Sequence, residues 1–111
     1  MNPQKNKGDK AEREAAALLT EATGFTVERR FGAGAELDKG DLVGIPNTVI
    51  QVADRKDKSS ACLEKPREVE DQRKNAKARY AASLIRWRGG NWRGVLTLEQ
   101  FAEYVKATIP E

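Results

Sequence analysis

The chain has 111 residues, of which 39% are hydrophobic and 33% are charged, a length that supports one folded domain with a single modest core. Lysine and arginine outnumber aspartate and glutamate by 20 to 17, a mild excess that permits a polyanionic partner without requiring one. No apolar run approaches the ~20 residues that a membrane span needs, so we expect a cytoplasmic protein with no membrane partner.

The residue types that are missing restrict the chemistry further. The sequence contains no histidine and a single cysteine, Cys62. These absences exclude histidine bases, histidine-activated nucleophiles, zinc sites built on histidine or several thiolates, and an internal disulfide. Carboxylate and amide oxygens remain, and these ligands suit hard cations such as Mg²⁺ or Mn²⁺.

The first third of the chain predicts a helix, a strand and a loop. Apolar residues at helical spacing predict a helix over residues 9–23, preceded by a flexible N-terminus at 1–6. Residues 25–31 alternate between apolar and polar side chains, as in a strand. The small residues of 32–40 predict a flexible loop that a backbone or a phosphate can approach closely.

A pair of strands follows, and it carries the candidate functional residues. Two apolar strands, within residues 40–45 and 48–56, flank a turn, with Asp41 at the start of the first and Gln51 near the end of the second, followed at once by charged residues. These two side chains share a face of the sheet if the loop has an odd number of residues, such as 45–47. The asparagine of that loop tolerates the left-handed backbone conformation that it needs.

The second half of the chain predicts two helices and two strands. After a polar loop at 56–63, Pro66 is expected to begin a helix that ends near Ala81. Strands are predicted over 83–88 and 92–96.

The connection between these last strands predicts a tight hairpin. With Gly89-Gly90 as a two-residue turn, Trp87 and Trp92 become direct neighbours across the strands. Thr97 then opens a last helix. Its inward face is expected to consist of Phe101, Val105 and Ile109. The order α-β-β-β-α-β-β-α, in one domain over 1–111, predicts an α/β fold with a mixed sheet flanked by helices.

Four short segments carry a resemblance to a known family. They are residues 8–14 in the first helix, Gly32-Ala33-Gly34, Gly40-Asp41-Leu42 and Ile50-Gln51-Val52. Their order on these elements resembles the archaeal and phage Holliday junction resolvases of the PD-(D/E)XK nuclease superfamily. The resemblance implies a restriction-endonuclease-like fold and a homodimeric, metal-dependent endonuclease. Such an enzyme cuts branched DNA, for example four-way junctions, during recombination and repair in a bacterial or phage-infected cell.

Matched by position, the catalytic residues of that family fall on Glu12, Asp41, Gln51 and Ala53. Asp41 would anchor Mg²⁺ or Mn²⁺, with the Gln51 side-chain carbonyl, the Val52 backbone carbonyl and waters completing a shell of hard oxygen ligands. Glu12 would bind a second metal ion or orient a water molecule. A metal ion so held stabilises charge on a phosphate and generates hydroxide near neutral pH.

Ala53 departs from the family pattern, which has a lysine there to position the attacking water and offset charge. Three explanations remain open: a deliberate replacement that inactivates the enzyme, loss in a noncatalytic descendant, or substitution by Lys56 from the strand end. Asp54 and Lys56 form an alternative motif, but Asp54 has the opposite strand parity to Gln51 and is expected to point away from the site.

Basic side chains predict the surface that contacts DNA. They are Lys7, Lys10, Arg13, Arg55, Lys56, Lys58 and Lys74. Phosphate contacts by such residues make binding strongly salt-dependent. Two other interpretations fit the sequence: a noncatalytic DNA-binding protein that retains the nuclease fold, and a small protein-interaction module that uses the hairpin of Trp87 and Trp92.

Overall fold

The computed structural model describes residues 3–30 and 38–110, and over residues 3–6 it describes the backbone alone. The helices are α1 (Pro3–Thr23), α2 (Lys58–Ala76) and α3 (Leu98–Thr108), and the strands are β1 (Glu28–Arg29), β2 (Leu42–Val43), β3 (Thr48–Ala53), β4 (Tyr80–Trp87) and β5 (Asn91–Val95). Most of the predicted glycine-rich loop, including Gly32-Ala33-Gly34, lies outside the described residues. None of the described helices is long and apolar enough to cross a membrane.

The five described strands form one mixed sheet in the order β1-β2-β3-β4-β5. Strands β3 and β4 are parallel, and the other neighbours are antiparallel. Helix α2 is the crossover between the parallel strands, since such a connection has to return across the sheet. This arrangement confirms the α/β class and the predicted order of elements.

Helices cover both faces of the sheet because successive strand residues point to opposite sides. Ile50 of β3 packs in a cluster with Ala15 of α1, whereas Val49 packs with Val69 of α2. Odd-numbered residues of β3 therefore face α2, and even-numbered residues face α1. This parity directs the side chain of Gln51 towards α2.

Two boundaries near the N-terminus differ from the predictions. Helix α1 begins at Pro3 instead of Asp9, and thus includes part of the segment expected to be flexible. Proline suits the first position of a helix because its φ is already helical and its missing N–H needs no partner there. Strand β1 covers Glu28–Arg29 of the described residues, less than the predicted 25–31.

The start of α2 differs most from the prediction. The helix begins at Lys58 instead of Pro66, because the Asp57 side chain caps the first turn by accepting a hydrogen bond from the Ser60 N–H at 3.0 Å. The expected polar loop at 56–63 is therefore largely helical. Pro66 lies buried inside the helix and not at its start.

The predicted end of α2 at Ala81 is also wrong. The helix ends at Ala76, because Lys77 adopts the left-handed conformation with φ 54° and ψ 36° and its N–H bonds back to the last turn. The chain then extends, and β4 begins at Tyr80.

The β4–β5 hairpin has a different register from the predicted one. Trp92 lies opposite Arg86, and Trp87 lies opposite Asn91, because the connection takes the three residues Arg88–Gly90 instead of two. A shift of one residue moves side chains to the other face. Trp92 packs against the α1 core, while Trp87 is 37% exposed. The predicted pairing of the two tryptophans is therefore wrong.

The inward face of α3 also differs from the prediction. Thr97 caps the helix as expected, accepting a hydrogen bond from the Gln100 N–H at 3.1 Å. Phe101 and Ile109, however, are 56% and 61% exposed. The helix meets the sheet through the buried Gln100 instead, whose Oε1 accepts a hydrogen bond from the Ala81 N–H at 3.1 Å.

Candidate functional site

The turn between β2 and β3 sets the register of the candidate site. Asn47 has the left-handed conformation, with φ 56°, as the sequence predicts. Leu42 lies opposite Ile50, which is the register that an odd-numbered loop of residues 45–47 produces. The start of β2 therefore lies beside the end of β3.

Asp41 lies in a bulge at the start of β2. Leu42 pairs with Ile50, and the Asp41 N–H also donates to the Ile50 carbonyl at 2.8 Å. Two residues opposite one form a β-bulge, which re-aims a side chain. Gly40, with φ +95°, permits this path because a Cβ there would lie 2.9 Å from the Ile50 carbonyl oxygen.

A backbone hydrogen bond from β3 holds the Asp41 carboxylate in place. Its Oδ2 accepts from the Val52 N–H at 2.8 Å. Burial is the largest cause that raises the pKa of Asp41 from 3.8 to about 6, and the Val52 hydrogen bond opposes it. The nearby carboxylates of Glu12 and Asp38 raise this pKa, whereas Lys65 lowers it. A buried carboxylate among other acids is a costly arrangement that a bound cation would relieve.

Gln51 presents an unsatisfied oxygen at the same end of the β2–β3 pair. The residue is 6% exposed, and its Nε2 donates to Glu68 Oε2 at 2.9 Å. Its Oε1 is buried and has no hydrogen-bond partner among the described residues. Leaving a buried acceptor unpaired costs about 1–3 kcal/mol. A metal ion or an ordered water would satisfy it.

Two glutamates of helix α1, Glu12 and Glu14, have different partners and lie in different parts of the structure. Glu12 accepts a hydrogen bond from Arg29 Nε at 3.0 Å and lies close enough to Asp41 to raise its pKa. Glu14 instead accepts from Trp92 Nε1 at 2.9 Å, and this hydrogen bond lowers the pKa of Glu14. Glu12 therefore borders the candidate site, and Glu14 does not.

Val52 and Ala53 complete the end of β3. The Val52 N–H points towards β2, where it meets Asp41. The carbonyl of a strand residue points to the same side as its N–H, so the Val52 carbonyl also faces β2, and its ligand role stays a prediction. Ala53 is 4% exposed and packs with Ala61 and Ile85. A lysine at this position would extend from among these buried side chains.

The alternative motif lies apart from Gln51. Asp54 is 3.7 Å from Lys7 of α1 and 3.5 Å from Lys58, so it points away from Gln51 as its parity predicts. Lys56 is exposed and lines a cleft beyond the end of β3. It forms no ion pair within the described part of the chain.

Helix α2 supplies polar residues that were not expected from the sequence. Lys65 Nζ lies 2.9 Å from Glu68 Oε2, the oxygen that also accepts from Gln51. Gln72 Nε2 donates to Asp38 Oδ2 at 2.8 Å. The helix thus holds both the amide of Gln51 and the segment that leads into Asp41.

The correct start of α2 would have identified these polar residues from the sequence. Counted from the Asp57 cap, one face of α2 has spacings of three and four residues. Its members are Ala61, Lys65, Glu68 and Gln72. A helix starting at Pro66 leaves Lys65 in a loop and breaks this pattern.

A basic cleft lies beyond the carboxyl ends of β3 and β4. It has a volume of about 550 Å³ and is lined by Lys56, Lys58, Trp87, Arg88, Asn91 and Arg93. Within the described part of the chain, four cations and no carboxylate line it, beside an exposed indole ring. This combination suits backbone phosphates, with the ring available to a base or sugar. Of the predicted DNA contacts, Lys56 and Lys58 lie here, while Arg88 and Arg93 were not predicted.

Lys7 and Lys10, also predicted to contact DNA, lie on the α1 side of the sheet. They line a smaller cavity of about 170 Å³ that also contains Glu14 and Asp54. Arg86 also lines it, so the two acids offset only part of its positive charge, but the cavity is still less basic than the basic cleft and less suited to phosphate.

The remaining predicted DNA contacts do not line the basic cleft. Arg55 forms an ion pair with Glu64. Arg13 and Lys74 are exposed on α1 and α2. Their contribution to DNA binding stays a prediction.

Comparisons with protein-family models, with curated proteins and with solved structures gave no match to this chain. Within residues 3–30 and 38–110, no group of three or more cysteine, aspartate and glutamate side chains is arranged to hold a metal ion. The candidate centre instead combines one carboxylate with amide and backbone carbonyl oxygens.

Proposed function

We propose that this chain is a metal-dependent, structure-specific DNA endonuclease with a restriction-endonuclease-like fold. It cuts branched DNA, such as four-way junctions, as a homodimer. The observation that carries the proposal is the partly buried carboxylate of Asp41 at the same end of the β2–β3 pair as the Gln51 Oε1, which has no hydrogen-bond partner within the described residues. Both groups are oxygen ligands of the kind that a hard divalent cation takes.

The donor set fits Mg²⁺ or Mn²⁺. It consists of the Asp41 carboxylate, the Gln51 amide oxygen and the Val52 carbonyl, all hard oxygen ligands. Mg²⁺ keeps several of its waters and is commonly held by one or two carboxylates. When bound, the ion would polarise the phosphate and lower the pKa of a bound water. Glu12, fixed by its hydrogen bond with Arg29, would orient a water at the edge of the site.

The basic cleft would bind the DNA strand beside the cut. Ser83 is the register partner of Gln51, and Trp87 follows it four residues later on β4. At about 3.3 Å per residue, Trp87 of the cleft lies roughly 13 Å from Gln51 along the strand direction. This span corresponds to roughly four base pairs of duplex. Arg88 and Arg93 would thus neutralise phosphates a few nucleotides from the one that is cleaved.

A homodimer would supply the second cut. A four-way junction has two strands to cleave symmetrically, and one domain of 111 residues has one candidate centre. A twofold pair of identical subunits presents two such centres with matching geometry.

The test is a cleavage assay on a labelled four-way junction and a linear duplex of matched sequence. Each is incubated with the chain in Mg²⁺, Mn²⁺ or EDTA. We expect paired nicks near the branch point in either metal and none in EDTA, and at least a 100-fold loss for Asp41→Asn with DNA binding retained. If the wild-type chain cuts neither substrate in either metal, the nuclease proposal is wrong.

A noncatalytic DNA-binding protein is the second candidate, favoured by the absence of an amine at Ala53. It predicts tight, salt-dependent junction binding without cleavage. Mn²⁺ would then leave the unfolding transition unchanged, because nothing would select for a functional cation site.

A further inference from the structure

Ala53 lies in a buried apolar cluster and carries no amine. Its neighbours Ala61 and Ile85 are both 0% exposed. Helix α2 covers this end of β3, so a cation that assists at the candidate centre has to come from another element.

Lys65 of α2 extends towards the candidate centre. It lies one turn beyond Ala61 on the same helix face, since residues four apart are neighbours along a helix. Its Nζ is 2.9 Å from Glu68 Oε2, and Gln51 Nε2 donates to that same oxygen at 2.9 Å. The ammonium group is therefore adjacent to the amide of Gln51. Its charge also acts on Asp41, where it favours the ionised carboxylate.

The burial of Lys65 differs from that of an ordinary helix-surface pair. Its side chain is 15% exposed, whereas that of Glu68 is 45% exposed, so the lysine is more deeply buried than its partner. The pair of Lys106 and Glu103 on α3 has the same spacing, with an N–O distance of 2.7 Å, but there the lysine is 65% exposed. Surface pairs of this spacing contribute little stability, and a mostly buried lysine calls for a further reason.

We propose that Lys65 is a catalytic residue of this centre and supplies from α2 the ammonium group that Ala53 cannot. This inference rests on the proposed nuclease function. The ammonium contacts a nonbridging oxygen of the scissile phosphate and offsets the negative charge that grows there. Water attacks phosphorus and loses one proton to solvent. The phosphorus–oxygen ester bond breaks, its electron pair leaves with the ester oxygen, and that oxygen takes up a proton.

The test compares variants at Lys65 with a matched variant at Lys106. Lys65→Met removes the charge, and Lys65→Gln removes it while retaining a hydrogen-bond donor for Glu68. Lys106→Met removes an equivalent lysine from the other helical pair. Each variant is assayed for single-turnover junction cleavage in Mn²⁺, for junction affinity in Ca²⁺, and for Mn²⁺ affinity by calorimetry without DNA.

Both Lys65 variants are expected to cleave roughly 100- to 1000-fold more slowly. Their junction affinity stays within about threefold of the wild type, since one phosphate contact changes binding little. Their Mn²⁺ affinity is unchanged or tighter, because a positive charge near the ligands is gone. Lys106→Met is expected to match the wild type in all three measurements.

Three results would overturn the inference, and they are distinguishable. If the wild type cleaves and Lys65→Gln cleaves at a similar rate, Lys65 is not catalytic and the nuclease proposal stands. If the Lys65 variants lose Mn²⁺ binding and junction binding together with cleavage, the lysine has a structural role. If the wild type cleaves nothing, the nuclease proposal and this inference fail together.

Discussion

Replacing Asp41 with asparagine tests whether the ionised carboxylate of the candidate centre destabilises the protein when no cation is bound. Burial is the main reason that the pKa of Asp41 rises from 3.8 to about 6. At ~1.4 kcal/mol for each pH unit, this rise corresponds to about 3 kcal/mol of free energy. Asparagine has nearly the same shape and still offers an oxygen to the Val52 N–H, but it carries no charge.

The sign of the effect follows from proton binding. Because the pKa of Asp41 is raised in the folded state, the folded protein binds this proton more tightly than the unfolded chain does. The cost of the ionised carboxylate is therefore absent below the ordinary pKa of 3.8, grows as the pH rises, and is complete above about 6. At about pH 8 without metal, Asp41→Asn should raise the free energy of unfolding by up to about 3 kcal/mol. Near pH 4 the two proteins should be almost equally stable.

The assay is urea denaturation followed by tryptophan fluorescence, between about pH 4 and pH 8 in EDTA and then in Mn²⁺. At 100 times the dissociation constant, Mn²⁺ should stabilise the wild type by about 2.7 kcal/mol and leave the variant nearly unchanged. Asp71→Asn is the matched control, because Asp71 is exposed and forms no ion pair within the described residues. It should change stability by less than about 0.5 kcal/mol at any pH.

Two results would refute this reasoning about Asp41. One is a variant that is less stable than the wild type at about pH 8 in EDTA, since the carboxylate would then contribute to the fold. The other is equal stabilisation of both proteins by Mn²⁺, since the metal would then bind elsewhere.

Other substitutions test the packing, the backbone and the basic cleft. Ala53→Lys should lower the free energy of unfolding in urea by about 3 kcal/mol or more, because it buries a charged chain where a methyl group fits; faster cleavage at normal stability would instead identify Ala53 as an inactivating change. Gly40→Ala should cost about 1–3 kcal/mol in the same assay, because of its positive φ and the close Ile50 carbonyl. Gly8→Ala adds a Cβ that has no described atom within 4 Å, so it should stabilise the helix by roughly 0.5–1 kcal/mol. Equal losses of stability at both glycines would contradict the strain argument. Arg88→Ala should reduce the slope of log affinity against log salt by about 0.9 in a junction-binding titration, and an unchanged slope would exclude a phosphate contact.

Local patterns were sufficient for the class of fold and for the hairpin that carries Asp41. Period-two and helical spacings identified the elements in their correct order, because these periods follow from backbone geometry alone. The left-handed Asn47 and the odd loop fixed the register of β2 against β3, since turn chemistry acts within a few residues.

The boundaries of the helices and the pairing of the β4–β5 strands were harder to predict from the sequence. The Asp57 cap starts α2 eight residues before Pro66, and a buried proline inside a helix is stable only because tertiary packing offsets its missing hydrogen bond. The hairpin register of Trp87 and Trp92 likewise depended on one extra turn residue, and that residue reverses which face each ring occupies.

Some features of the candidate centre could likewise be predicted from the sequence, and others could not. The sequence by itself limited any metal site to oxygen ligands, because histidine is absent and cysteine is single, and it predicted Asp41 and Gln51 as neighbours. Only the tertiary structure decided the partial burial of the Asp41 carboxylate, the lack of a partner for the Gln51 oxygen within the described residues, and the approach of Lys65 from α2. Desolvation and contacts between distant segments depend on how layers pack, and no local pattern in the chain encodes them.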